Sequence, residues 1–331
     1  MVKNNKINIA EIKNFFLKKN IQVQSIKKFN SDASNKEFTL FDTPHEKYLA
    51  LSFRNQPKDF KRYINATNAL HVLKMPVPPV IYSSRKNVSI LMHYISNDNA
   101  TKYLKTKHLI TILQTASNHL IKIRKSKVKF DNIPKKSNDS LIKSATWGVS
   151  LYVEHYKKKI DGYDFILNLL TKNLNKTFKK ISKYKPVLTH GDFFLDNLIF
   201  HHDKVWIIDH QDLAYDHPQL DIASLIYDAR RIYSKKIIDK TLNSYLQDVK
   251  ASQKQNMIDS IHLISLARNL RILGAWVYLH QKGKKNYLKS STLIYKDDSK
   301  ENYLIICKNQ TCSNKIKTID ELKSVVSNYA V

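Results

Sequence analysis

The stretch from Pro186 to Asp209 reads PVLTHGDFFLDNLIFHHDKVWIID. Val187 and Leu188 lead into His190, Gly191 and Asp192, and two short apolar runs, 198–200 and 205–208, flank a turn at 201–204. That pattern predicts small strands carrying a loop between them. Asp192 and Asn197 share the loop, and Asp209 stands at the end of the second run. Phosphoryl transfer asks little of a protein: a carboxylate near the attacking hydroxyl, an amide oxygen, and a second carboxylate for Mg²⁺ on the donor's phosphates. Asp192, Asn197 and Asp209 supply these groups in one compact span.

Around this stretch the charge inverts. Between His190 and Asp228 there are eight aspartates and one basic residue, Lys204. The whole chain of 331 residues has 56 Lys plus Arg against 28 Asp plus Glu, a formal net charge of +28. An acidic pole has the wrong sign for phosphate but the right one for a hard cation that joins carboxylates to phosphate oxygens. The basic surplus is lysine, 48 against 8 arginines. Arginine is the side chain suited to bidentate phosphate and base recognition, so a solvated lysine surface accounts for the excess and no nucleic-acid partner is expected. The cluster at 122–129 reads as an exposed face.

Two cysteines, Cys307 and Cys312, exclude a disulfide-dense scaffold and an all-cysteine zinc site. The apolar run at 272–279 is eight residues long, against roughly 20 for a membrane span. The first residues are polar and include Glu11, without the apolar core of a signal peptide. A cytoplasmic protein with no membrane insertion is the expectation. With 42% apolar residues, a chain of this length suits two domains.

Elsewhere, periodicity predicts a helix at 9–19, strands at 23–29, 37–41 and 47–53, a helix at 57–73 stopped by Pro76, Pro78 and Pro79, and strands at 80–82 and 88–94. Thr67 interrupts the apolar row of the 57–73 helix. A linker at 96–99 closes this β-rich part. Helices follow at about 101–123, 138–160, 162–182, 219–231, 235–249 and 255–281, then a broken helical region. The fold class is therefore α+β, with domains 1–96 and 97–331.

At the residues quoted first, the sequence resembles the protein-kinase-like small-molecule phosphotransferases, the superfamily of the aminoglycoside and choline kinases. HGDFFLDN at 190–197 resembles their catalytic loop, and Asp209 falls where they carry a metal-binding aspartate. IIDHQDLAYDHPQLDIASLIYDAR at 207–230 and RNLRILGAWVYLHQKGKKNYL at 268–288 resemble the bacterial anomeric kinases of N-acetylmuramic acid and N-acetylglucosamine, which act in cell-wall recycling. SDASNKEF at 31–38 resembles their phosphate-side loop.

The resemblance implies a bilobal protein-kinase-like fold with a small β-rich nucleotide-binding N-lobe and a larger, mainly helical C-lobe. It implies ATP and Mg²⁺, and a sugar 1-phosphate as product. Asp192 is then the general base or hydroxyl-positioning carboxylate. His190 braces the loop, with proton transfer its lesser role, and Asn197 and Asp209 hold the metal. Ser34, Asn35 and Lys36 lie at the donor phosphates, Gln211, Asp212, Asp228 and Arg271 towards the sugar acceptor, and Asp221 supports the loop. Many relatives place a lysine inside an early strand, whereas KYLALSF at 47–53 has small and apolar residues at its centre. Lys36 is the nearest substitute, and the 32–35 loop lacks glycine for backbone cradling of phosphate.

Two rival readings stay open. The acceptor is another alcohol, of aminoglycoside or choline type, or the chain binds nucleotide without turnover. The missing strand lysine motivates the second, and intact Asp192, Asn197 and Asp209 oppose it. A monomer is the simpler expectation for an oligomeric state the sequence leaves open.

Overall fold

The computed structural model describes residues 7–30, 36–54, 56–137, 139–156, 163–179, 184–284, 307–308 and 311–312. Ser34 and Asn35 of the expected phosphate-side loop lie outside the described residues. In chain order the elements are α1 (Ile9–Lys18), β1 (Ser25–Asn30), β2 (Glu37–Asp42), β3 (Lys47–Ser52), α2 (Pro57–Val72), β4 (Val80–Ser84) and β5 (Ser89–His93). Then come α3 (His108–Lys125), α4 (Ser140–Tyr156), α5 (Tyr163–Lys179), β6 (Val187–Thr189), β7 (Leu198–His201), β8 (Lys204–Ile207) and β9 (Ala214–Asp216). The last are α6 (Leu220–Ile226), α7 (Lys235–Tyr245), α8 (Ala251–Gln281), β10 (Cys307–Lys308) and β11 (Thr311–Cys312).

These residues form two compact units. One comprises Met1–Ser137, Tyr184–Asp228 and Tyr233–Ile261, the other Asn138–Lys183, Ala229–Ile232 and His262–Val331. In the first, an antiparallel sheet runs in the order β1-β2-β3-β5-β4. Strand alternation sorts its side chains. Ala50 pairs with Leu91 and both join Phe41 and Tyr48 against Ile12 and Phe16 of α1. Their neighbours Leu51 and Ile90 pair on the opposite face and pack with Phe53 against Phe60 and Tyr63 of α2. Each side of the sheet therefore has its own helix and its own apolar core.

Pro57 occupies the first turn of α2, where its missing amide is not needed. The helix ends in a left-handed residue, Lys74, with Met75 N–H donating to Leu70 O at 2.9 Å, and the prolines beyond it prevent continuation.

Further along the same unit, β6 pairs with β9 and β7 with β8, both antiparallel. His202 and Asp203 take positive φ at the β7–β8 turn, the conformation that matches the twist of a two-residue hairpin. β9 is not foreseen in the sequence, because three residues with an aspartate at the end give no alternation to read. The expected helix from 101 opens instead with a separate 3-10 turn, Ala100–Tyr103, capped where Asn99 accepts from Thr101 N at 3.0 Å. α6 stops at Ile226 rather than 231 because Tyr227 leaves helical geometry. β10 and β11 stand within the expected broken helical region.

In the second unit, α4 and the later part of α8 meet at two glycines. A Cβ on Gly274 would lie 2.4 Å from Gly148 Cα, and one on Gly148 2.1 Å from Leu270 O. Around this crossing Ala145, Val149 and Val153 pack with Ala267, and Leu167 of α5 joins them. Among the described residues, no helix is long and apolar enough to cross a membrane.

Candidate active site

β6 ends at Thr189 and hands the chain to His190, Gly191 and Asp192. Gly191 has φ +90°, and a Cβ there would lie 3.3 Å from Asp212 O. The positive φ favours glycine at the entry to the loop, and the close carbonyl would have to give by a few tenths of an ångström to admit a side chain. The loop then closes on itself. Phe194 N donates to Asp192 O at 3.2 Å and Asn197 N to Phe194 O at 2.9 Å. The Asn197 amide Nδ2 donates to Asp192 O at 2.9 Å, which leaves its Oδ1 as an oxygen donor. Ile208 N to Asn197 O, 3.0 Å, ties the loop to the strand that precedes Asp209.

Two side chains fix this loop, one from α6 and one from the loop's own first residue. Asp221, in the first turn of α6, accepts from His190 N at 2.6 Å and Gly191 N at 3.0 Å. It is 3% exposed. Burial raises its carboxyl above the ordinary range, opposed by His190 and by the two amides it accepts. His190 accepts from Asp192 N at Nδ1, 3.3 Å, so the ring proton sits on Nε2, which donates to Ile208 O at 3.0 Å. Both ring nitrogens are thus engaged by the backbone.

Asp209 has φ +59°, a left-handed conformation that costs a non-glycine residue energy and recurs at functional positions. Lys36, at the start of β2, places Nζ 2.8 Å from Asp209 Oδ1. The lysine side chain is 5% exposed and that of Asp209 45%, so the carboxylate reaches solvent while its counter-ion does not. The structure therefore brings Lys36 to the far end of the site, 173 residues away in sequence.

His210 follows and is fully buried. The Thr67 hydroxyl donates to Tyr63 O at 2.9 Å. Its oxygen must then accept from His210 Nε2, 2.7 Å away, which fixes the tautomer and leaves Nδ1 as an acceptor with no hydrogen-bond partner among the described residues. The ring also packs on Tyr63. Burial holds this imidazole well below its usual range, so it is neutral. Sequence reasoning missed this contact; its one signal was the polar Thr67 in an otherwise apolar helix row.

Gln211 encloses its Oε1 with no hydrogen-bond partner among the described residues. Asp212 is exposed as a residue, yet enclosure of its carboxyl raises its pKa first, followed by repulsion from Asp192, with Lys136 opposing and Asp209 adding to the rise. Asp192, Asp209 and Asp212 therefore share one electrostatic neighbourhood. Asp228 is buried, at 3% exposure. Arg271 lies on α8 in the second unit.

The chemistry of this donor set suits Mg²⁺. One carboxylate and one amide oxygen are what that ion takes from a protein when phosphates complete its shell. Among the described residues there is no cluster of three or more His, Cys, Asp or Glu arranged to hold a metal unaided.

Residues 25–253 match the sequence pattern of the phosphotransferase enzyme family. An N-acetylmuramate/N-acetylglucosamine kinase of Caulobacter vibrioides is 29% identical over 107 residues, a stretch covering 30% of this chain and 30% of that protein. An ADP-bound aminoglycoside phosphotransferase superposes with TM-score 0.62 at 16% identity, over 86% of this chain and 97% of the other. A choline kinase from Streptococcus pneumoniae gives TM-score 0.59 at 14% identity, over 86% and 96%. A spectinomycin phosphotransferase with ADP and spectinomycin gives 0.64 at 12% identity, over 88% and 95%. These likenesses show the α+β kinase-like fold, with a β-rich N-terminal lobe and a larger, helical C-terminal lobe.

Proposed function

Since the chain belongs to the phosphotransferase enzyme family, we propose that it is an ATP-dependent kinase acting on the anomeric C1 hydroxyl of N-acetylmuramic acid and/or N-acetylglucosamine. The observation that carries the kinase reading is the braced loop of Asp192 and Asn197 beside an Asp209 held by buried Lys36. In this reading Asp192 orients the sugar hydroxyl and takes its proton. The oxygen attacks the γ-phosphorus, the bond to the bridging oxygen breaks, and ADP leaves with that electron pair. His190 and Asp221 act by holding Asp192 in place. Asn197 and Asp209 hold Mg²⁺, which when bound neutralises the phosphate charge. Lys36, paired with Asp209, adds a fixed positive charge at the donor phosphates, and Ser34 and Asn35 are proposed to contact them.

The acceptor is assigned on narrower grounds. The stretch-wise similarity to the Caulobacter kinase supports an amino sugar. Gln211, Asp212, Asp228 and Arg271 are the proposed candidates for contact with such a sugar. A second reading, an aminoglycoside or choline kinase, is favoured by the solved relatives, whose likeness covers far more of the chain. Incubation of the purified protein with Mg²⁺-ATP and a mixture of both amino sugars, choline and an aminoglycoside, followed by mass spectrometry, separates them. A phosphorylated amino sugar is expected. Phosphorylated choline or aminoglycoside alone would establish the second reading, and no product from folded protein would remove both.

A further inference from the structure

The stretch 96–99, shortly after β5, runs against the start of β7. Asn99 bridges Ile199 in antiparallel fashion, and Phe200 N donates to Asp98 O at 3.0 Å. This pairing brings the half-buried Asn99 side chain to the loop that precedes β7. Its Nδ2 donates to Asp196 O at 2.6 Å, while its Oδ1 accepts from Thr101 N at 3.0 Å and from the Thr101 hydroxyl at 2.7 Å. A backbone amide can only donate, so the contact with Thr101 fixes which end of the carboxamide faces Asp196.

The bond to Asp196 O falls on the peptide that joins Asp196 to Asn197. The carbonyl of that peptide is held by Asn99, and its N–H donates to Phe194 O at 2.9 Å. Both polar groups of the plane are therefore tied. The next carbonyl, Asn197 O, accepts from Ile208 N at 3.0 Å, and the Asn197 Nδ2 donates to Asp192 O at 2.9 Å. Those ties lie within 192–208, whereas Asn99 reaches the loop across 97 residues of sequence.

Resting on the reading of Asn197 as a metal ligand, we infer that Asn99 is a positioning residue for Mg²⁺, acting by fixing the peptide plane from which the Asn197 carboxamide projects. Mg²⁺ demands near-ideal octahedral geometry, so the direction of each protein oxygen matters. Without the Asn99 donor the 196–197 peptide is free to rotate, and Asn197 Oδ1 loses its fixed aim. Outer partners of this kind typically count for about 10–100-fold in metal affinity.

The test is the ATP affinity of the full chain, measured by calorimetric titration at rising Mg²⁺, in wild type, Asn99→Asp, Asn99→Ser, Thr101→Val and Asn197→Ala. Asp and Ser both keep an acceptor for Thr101 N and cap well. Asp has no donor for Asp196 O, and Ser is too short to reach it. Each Asn99 variant should raise the Mg²⁺ concentration for half-maximal ATP affinity roughly tenfold, with metal-free ATP affinity unchanged. Thr101→Val, which loosens the cap alone, should leave that midpoint in place. Combined with Asn197→Ala, Asn99→Ser should add no further shift, since the group it positions is gone. A wild-type midpoint in Asn99→Ser, an equal shift in Thr101→Val, or a shift that adds in full to that of Asn197→Ala would overturn the inference alone. A wild-type midpoint in Asn197→Ala would overturn the metal assignment of Asn197, and this inference with it.

Discussion

Asp209 meets two demands at one residue: its backbone is held left-handed, and one carboxylate oxygen is committed to Lys36. Removing the lysine leaves the carboxylate in place but free to turn, and takes a positive charge from the proposed phosphate site. Lys36→Met should therefore weaken Mg²⁺-nucleotide binding on the order of tenfold and lower kcat as well, read by nucleotide titration and initial rates. Asp192→Asn keeps the shape of the loop, whose closing bonds use the Asp192 backbone carbonyl. Loss of the base should lower kcat by about 10²–10⁴-fold with the thermal midpoint nearly unchanged; wild-type turnover in this variant would remove the base assignment. Asp192, Asn197 and Asp209 were legible in sequence because their spacing is local. The Lys36 pairing and the His210–Thr67 contact were less so, since each joins residues far apart along the chain and depends on which helix covers which face of the sheet.

At the scale of elements, the α4–α8 crossing rests on the absence of two side chains. Ala for Gly in a helix gains about 1 kcal/mol of propensity, but at Gly274 the new methyl would lie 2.4 Å from Gly148 Cα. Overpacking of this kind costs about 1–3 kcal/mol and sometimes more, and the contact is with backbone, which cannot swing aside. Gly274→Ala should therefore lower stability by about 2 kcal/mol net of its propensity gain in chemical denaturation; a stabilised variant would contradict the close crossing. α3 supplies a pH-dependent term. His119 bonds Val205 O at 3.1 Å, and its pKa is lowered, first by burial. The folded protein keeps it neutral while the unfolded chain takes up a proton near pH 6.5. Its contribution is thus complete above that pH and is lost as pH falls through the depressed folded value, with a slope of up to about 1.4 kcal/mol per pH unit. Buried neutral His210 acts in the same direction. Denaturation across pH 7.5 to 5.5 (about two units) should show a shallower slope for His119→Gln than for wild type. The major helices were readable from periodicity, whereas β9 was not, because its identity lies in pairing with β6.

Across the whole molecule, the chain carries a net charge of +28, while the candidate site combines aspartates with Lys36 from the start of β2. The acidic pole and Lys36 as a candidate could be read from the sequence, but the pairing of Lys36 with Asp209 could not, as the two lie 173 residues apart. This arrangement suits a polyanionic donor drawn in by the general field and a cation held locally at the carboxylates. The proposed transfer of phosphate to the anomeric hydroxyl of an amino sugar is decided by phosphorus–proton NMR of the product formed from N-acetylmuramic acid and Mg²⁺-ATP. A single phosphorus coupled to H1 and loss of the free reducing end are expected. A product whose phosphorus couples to a proton elsewhere on the ring, with the reducing end intact, would contradict it.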